Sequence, residues 1–253
     1  MELILLIAGL GFLVSIASGM LGIGGGILMA PALLYLPSLL GLEDMPMHTI
    51  AGLTITQSVA ASAVASIQHR RRGYVDTSLV LWMAVPLALA SLAGGLASPW
   101  ASAQLLKILF AVMALVGAGL MSLPPGDEEE GPKANRALVV CIALIVGAMG
   151  GAVGQGGSFL LIPLMIHLLR VPTRIAIGSN LGIVLLGSTA GFTGKLATGQ
   201  LQWSLATGLV AGAVLGAWVG SRVGHSFAPD KLRKILGAVV ALGAIAIAAD
   251  ALR

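Results

Sequence analysis

The stretch Ser18-Gly19-Met20-Leu21-Gly22-Ile23-Gly24-Gly25-Gly26, followed by Pro31, interrupts an apolar run that extends from 3 to 37. The pattern returns 132 residues later, where Gly150-Gly151-Ala152-Val153-Gly154-Gln155-Gly156-Gly157 and Pro163 interrupt a second apolar run from 137 to 169. Gly19, Gly22, Gly24, Gly25, Leu28 and Pro31 fall on Gly151, Gly154, Gly156, Gly157, Leu160 and Pro163. The likeness continues with slightly shorter offsets: at 126, Gly52 falls on Gly178 and Gly73 on Gly199, and at 127, Lys107-Ile108-Leu109 falls on Lys234-Ile235-Leu236.

Around these interrupted runs lie uninterrupted apolar segments at 48–68, 77–97, 103–122, 175–194, 203–221 and 233–250. Each is long enough to cross a ~30 Å hydrocarbon core as a helix. Of the 253 residues, 57% are hydrophobic and 9% charged, against roughly 25% charged in a soluble domain. The ten carboxylates, Glu2, Glu43, Asp44, Asp76, Asp127 to Glu130, Asp230 and Asp250, all lie near a terminus or in a polar gap. The fold class that follows is an all-α polytopic membrane protein. Residues 1–123 form a first repeat, 124–136 a polar acidic linker on the cytoplasmic side, and 137–253 a second repeat.

The charges choose between two topologies. If each interrupted run enters and returns on one side, 11 of the 14 Lys and Arg share a side and only Lys107, Lys195 and Arg253 lie opposite. If each crosses once, the same charges split 7 and 7. Basic residues collect in cytoplasmic loops, so the first arrangement is expected. It gives two inverted-topology repeats, each a glycine-tipped re-entrant hairpin plus three transmembrane helices, with both termini outside. Hairpin arms of about 14 residues, 137–150 and 156–169, would reach only ~21 Å at 1.5 Å per residue.

A helix end inside a membrane is tolerated where it is buried in protein or lines a wet cavity. Its free N–H groups and positive dipole end attract an anion. The expected binding device is therefore Gly22, Gly24, Gly25 and Gly26 facing Gly154, Gln155, Gly156, Gly157 and Ser158. Thr54, Gln57, Ser179 and Asn180 follow the hairpins in each half, among few polar residues in the spans that also include Thr56, Ser58, Ser188 and Thr189. Their hydroxyls and amides can donate to an oxyanion. Two plainer readings stay open: the glycines as close-packing positions, and the polar groups as interhelical hydrogen bonds. His69 and Lys195 coincide in the repeat near the ends of their spans; they read as interfacial side chains that snorkel or as gating groups.

Other chemistries lack support. The single Cys141 cannot form an intramolecular disulfide, and His48, His167 and His225 have no companions at metal-ligand spacing. No metal or other cofactor is expected. Gly22 to Gly26 follows no strand and is not a dinucleotide fingerprint; Gly194-Lys195 is not a P-loop, since Thr189 stands where its first glycine belongs. The pI of 9.6 comes without a basic face or aromatic stacking platform, which excludes nucleic acid as a partner. With no Ser/His/Asp or metal cluster at membrane depth, the chain is not read as an enzyme.

The paired glycine motifs with Pro31 and Pro163, and the segment His69-Arg70-Arg71-Arg72-Gly73-Tyr74-Val75-Asp76, resemble the sulfite exporter TauE/SafE family over essentially the whole chain. The resemblance implies a bacterial inner-membrane transporter of a small sulfur-containing anion: sulfite, thiosulfate or an organosulfonate such as sulfoacetate. The second half carries Lys195 where the first has His69, so a shared role at that position does not follow from the family. The expected mechanism is alternating access around an anion held at the opposed tips. An anion channel, an uptake permease and a non-catalytic subunit of a larger assembly are the rival readings. Substrate, direction, coupling ion and oligomeric state, a homodimer included, stay open.

Overall fold

The computed structural model describes residues 2–123 and 136–224, with isolated positions between 226 and 245. Its helices are α1 (Glu2–Leu21), α2 (Gly26–Leu39), α3 (Met47–Arg71), α4 (Thr77–Ala97), α5 (Ala103–Ser122), α6 (Arg136–Val153), α7 (Ser158–His167), α8 (Thr173–Ala197) and α9 (Trp203–Gly224), with a short 3-10 turn at Ser98–Trp100. No strand occurs among the described residues. Seven helices, all but α2 and α7, are long and apolar enough to cross a membrane. The expected span at 233–250 and residues 124–135 of the expected linker lie outside the described residues, apart from isolated positions in the former.

Among the described residues, α3 and α8 resemble each other in length and in their flanking residues. Helices α3 and α8 each have 25 residues, begin after Pro46 and Pro172, and end before a left-handed glycine, Gly73 or Gly199. Helix α4 starts on a side-chain cap, Asp76, whose carboxylate accepts from the N–H groups of Ser78 and Leu79 at 2.9 and 3.0 Å. Such a cap satisfies donors that a helix start otherwise leaves open.

The chain breaks where the glycines predict, at 22–25 and 154–157, but the arms are uneven. Helix α1 has 20 residues and α6 has 18, whereas α2 has 14 and α7 only 10. Gly150 and Gly151 sit inside α6 because the helix leans on its neighbours there. A side chain on Gly151 would strike the backbone of Ser91 in α4, so tertiary packing overrides a weak helix propensity.

The most extensive helix pairs, α1 with α9, α4 with α6 and α4 with α8, each join one half to the other. Glycines set these contacts. On α9, Gly208, Gly212, Gly216, Gly220 and Gly224 meet Ile4, Ala8, Phe12, Ile16 and Met20 of α1 in turn. Positions advance together along both chains, so the helices run parallel. Gly147 and Gly151 meet Leu87 and Ser91, which makes α6 parallel to α4 as well. Gly182, Gly187 and Gly191 meet Val80, Leu87 and Ser91, aligning α8 with α4, while Gly52 meets Gln200 and Gly178 meets Tyr74, so α3 opposes α8. Lipid tails are as apolar as leucine; helix association in a membrane therefore rests on close backbone packing, which small residues permit.

Basic groups collect at one end of this bundle. Arg72 Nη1 donates to Ser221 O at 2.5 Å and Arg174 Nη2 to Phe227 O at 2.7 Å. Arg174 lies over the Tyr74 ring, Arg136 over Trp82 and Arg222 over Trp218. Lys107 lines a cavity with Asp44 and Met47 at the opposite end.

Candidate functional site

Each break turns through left-handed glycines. Gly25 (φ 81°) and Gly157 (φ 78°) are the residues before α2 and α7, and neither helix start has a side-chain cap. Only glycine takes this conformation without cost. Leu28 N–H in the first turn of α2 donates to Gly25 O at 3.2 Å, and Ser158 N–H at the start of α7 donates to Gln155 O at 3.3 Å; the other first-turn N–H groups have no acceptor one turn back, and each start carries a positive dipole end.

The breaks meet each other. Gln155 Nε2, in the second break, donates to Gly26 O in the first at 3.0 Å. Asn180 Nδ2 on α8 bridges them, donating to Gly22 O at 2.6 Å and to Ser158 O at 2.8 Å. From α3, Ser58 Oγ donates to Gly24 O at 2.9 Å, and Gln57 Nε2 donates to Ser15 Oγ of α1 at 3.0 Å. A methyl group on Gly24 would come within 2.9 Å of Ser158 Oγ, one on Gly25 would strike the Gln57 amide, whose Nε2 lies nearest at 2.5 Å, and one on Gly26 would strike Gln155. Three successive glycines thus each lie under a polar side chain, and a Cβ at any of them would displace it.

Most of the expected binding set is therefore assembled: Gly22, Gly24, Gly25 and Gly26 with Gln155, Gly156, Gly157, Ser158, Gln57 and Asn180. Gly154 packs on Ala51 as Gly22 packs on Ile177, an equivalence at the 126-residue offset. Thr54 stands beside this contact, with its hydroxyl donating to Ala51 O of its own helix at 3.2 Å. Ser179 faces elsewhere and accepts from the Asp76 N–H at 2.9 Å. One difference from expectation matters chemically. Both amide N–H bonds of Asn180 and one of Gln155 go to backbone carbonyls, and the amide oxygens of both side chains are left without a partner. Ser15 and Ser58 join the site from outside the expected binding set; a hydroxyl in an apolar run is the signal that the chain offers for either.

His69 and Lys195 are buried, with 5% and 0% exposure, so neither snorkels to an interface. His69 Nε2 lies 3.2 Å from Gly19 O, and Lys195 Nζ donates to Ala152 O at 3.0 Å, Ser98 Oγ at 2.9 Å and Gln200 Oε1 at 3.1 Å. Gly19 and Ala152 sit in the last turns of α1 and α6. The pair thus does one job twice: each satisfies a carbonyl at the end of the helix that leads into a break. Among the described residues, no group of three His, Cys, Asp or Glu is placed to hold a metal.

The family model for "Sulfite exporter TauE/SafE" matches residues 7–247. A probable membrane transporter protein of Xylella fastidiosa (strain 9a5c) is 30% identical over 94% of this chain and 92% of its own length. YunE of Bacillus subtilis, also described as a probable membrane transporter protein, is 22% identical over 92% and 93%. The probable membrane transporter protein MJ0441 of Methanocaldococcus jannaschii is 21% identical over 91% and 90%. No solved structure matches the chain at a significant level.

Proposed function

The chain belongs to the sulfite exporter TauE/SafE family of multi-pass membrane transporters, and from that premise we propose that it carries a small sulfur-containing oxyanion or sulfonate across the inner membrane. The anion sits where the two glycine breaks meet, between the starts of α2 and α7, and is passed by alternating access. Sulfite, outward, is the first substrate and direction to test, as the family's description indicates.

The observation that carries this reading is the meeting of two uncapped helix starts at one buried place. Helix N-termini bind anions, and discontinuous helices in transporters use them for anionic substrates. The helix directions support inverted repeats. With α6 and α8 parallel to α4, with α1 parallel to α9, and with short turns joining α8 to α9, α1 opposes α6 just as α3 opposes α8. The clustering of Arg72, Arg136, Arg174 and Arg222 supports a cytoplasmic face at that end, and with it a reading in which α1 starts on the outer side.

Reconstituted in liposomes, the protein is expected to take up labelled sulfite with saturation and with counterflow against internal unlabelled sulfite. A non-saturating flux without counterflow would point to a channel instead. No flux of sulfite, thiosulfate or sulfoacetate under either gradient would reject the transport reading.

A further inference from the structure

Four side-chain atoms at the meeting of the breaks have no hydrogen-bond partner among the described residues: Gln57 Oε1, Gln155 Oε1, Ser158 Oγ and Asn180 Oδ1. All four residues have 0% exposure. An unpaired buried polar atom is costly, and native proteins rarely keep several together without a partner for them. Flipping the Asn180 and Gln155 amides does not remove the problem, whereas the Gln57 amide faces the Ser15 hydroxyl, which can accept from its nitrogen or donate to its oxygen. Asn180 Nδ2 faces two backbone carbonyls and Gln155 Nε2 faces one; carbonyls only accept, so the amide nitrogens must point at them. The oxygens of Asn180 and Gln155 are left without a partner by necessity.

Three of these oxygens lie along one turn of chain. Ser158 Oγ, the Gln57 amide with its oxygen at 3.2 Å from a Cβ placed there, and Gln155 Oε1 rest over Gly24, Gly25 and Gly26 in succession, and Asn180 holds both Gly22 and Ser158 by their carbonyls. An oxyanion cannot satisfy amide oxygens; they need a donor or a cation. A set of uncharged oxygens suits a hard cation. The helices around the breaks carry no carboxylate but Glu2, at the far end of α1, which favours a monovalent ion over a divalent one, whose charge neutral oxygens alone compensate poorly. In transporters with broken helices, unwound segments hold sodium while helix starts hold the anionic substrate.

We propose that a sodium ion binds at the meeting of the breaks, coordinated by Gln155 Oε1, Asn180 Oδ1, Ser158 Oγ and Gln57 Oε1, beside the helix starts that receive the anion. The inference rests on reading this place as the binding centre. It gives that centre a coupling ion: cation and anion together cross the low-dielectric middle with little net charge, which lowers the desolvation penalty of the anion alone.

The test is direct binding of radioactive sodium to the purified full-length protein, with potassium and choline as competitors. Saturable binding, displaced by sodium and not by choline, is expected. Ser158→Ala separates this from a purely structural role. Its hydroxyl makes no bond within the protein, so its loss leaves the sodium-free melting temperature unchanged or slightly raised, while sodium affinity falls about tenfold. No saturable sodium binding, or binding identical in Ser158→Ala, overturns the proposal. The transport reading is judged separately: sodium binding without flux of any sulfur anion leaves the cation site standing, and undiminished flux from a protein that binds no sodium removes it.

Discussion

Gln155 Nε2 donates to Gly26 O at 3.0 Å, so a side chain of the second glycine break closes on the backbone of the first. The contact joins residues 129 positions apart. It fixes the start of α2 against the turn that precedes α7, and it explains why position 26 has no side chain.

Gly26→Ala drives a methyl group into Gln155. The single substitution is expected to reduce flux and lower thermal stability by about 1–3 kcal/mol. Gln155→Ala removes the obstacle, so the double variant should be less damaged than the two single effects added together, with a coupling of about 0.5–3 kcal/mol in a double-mutant cycle. Strict additivity in melting experiments would show that the two residues do not meet.

Asn180→Asp keeps the shape of the side chain and loses both N–H donors. Its oxygens would then face the carbonyls of Gly22 and Ser158 across 2.6 and 2.8 Å. Each buried carbonyl left unpaired costs about 1–3 kcal/mol. Flux should fall by more than tenfold, with a lowered melting temperature; flux equal to that of the unmodified protein would remove Asn180 from the centre.

Lys195→Met strips a donor from Ala152 O, Ser98 Oγ and Gln200 Oε1 at once. A loss of at least about 1–3 kcal/mol in stability follows, together with slower transport because the end of α6 is no longer held. Lys195→His, which places at 195 the residue found at the equivalent position 69, should restore more of both than Lys195→Met. Equal behaviour of the two variants in melting and flux would contradict a shared role for His69 and Lys195 in holding the helix ends.

Gly216→Leu and Gly9→Leu test the glycine ladder against a control on the same helix pair. A side chain on Gly216 strikes the backbone of Phe12, while one on Gly9 meets nothing within 4 Å. The first is expected to cost about 1–3 kcal/mol or more in detergent-solubilised stability, the second to stay within about 0.5 kcal/mol. Similar melting temperatures for both would mean that α1 and α9 do not pack along this face.

Much of this arrangement is legible in the chain itself. The apolar lengths fix 77–97 and 103–122 to the residue, and the repeated glycines locate both breaks. Arm lengths are not legible, because Gly150 and Gly151 read as breakers and continue α6 only through contact with α4. The burial of Lys195 is equally hidden: its three acceptors come from the 3-10 turn, from the end of α6 and from the loop after α8. Sequence also marks Asn180 and Gln155 as polar residues in the right places, but their amide direction depends on which backbone carbonyls face them. That direction turns expected donors into acceptors.

The central claim is that the transported anion sits between the starts of α2 and α7. A structure of the protein in lipid, saturated with whichever sulfur anion the liposomes carry, measures this most directly. The account predicts bound anion within about 3.2 Å of N–H groups in the first turn of α2 or α7, beside Gly24 to Gly26 and Gln155 to Ser158. An anion bound only elsewhere, for instance among Arg72, Arg136 and Arg174 at the basic end, would contradict it.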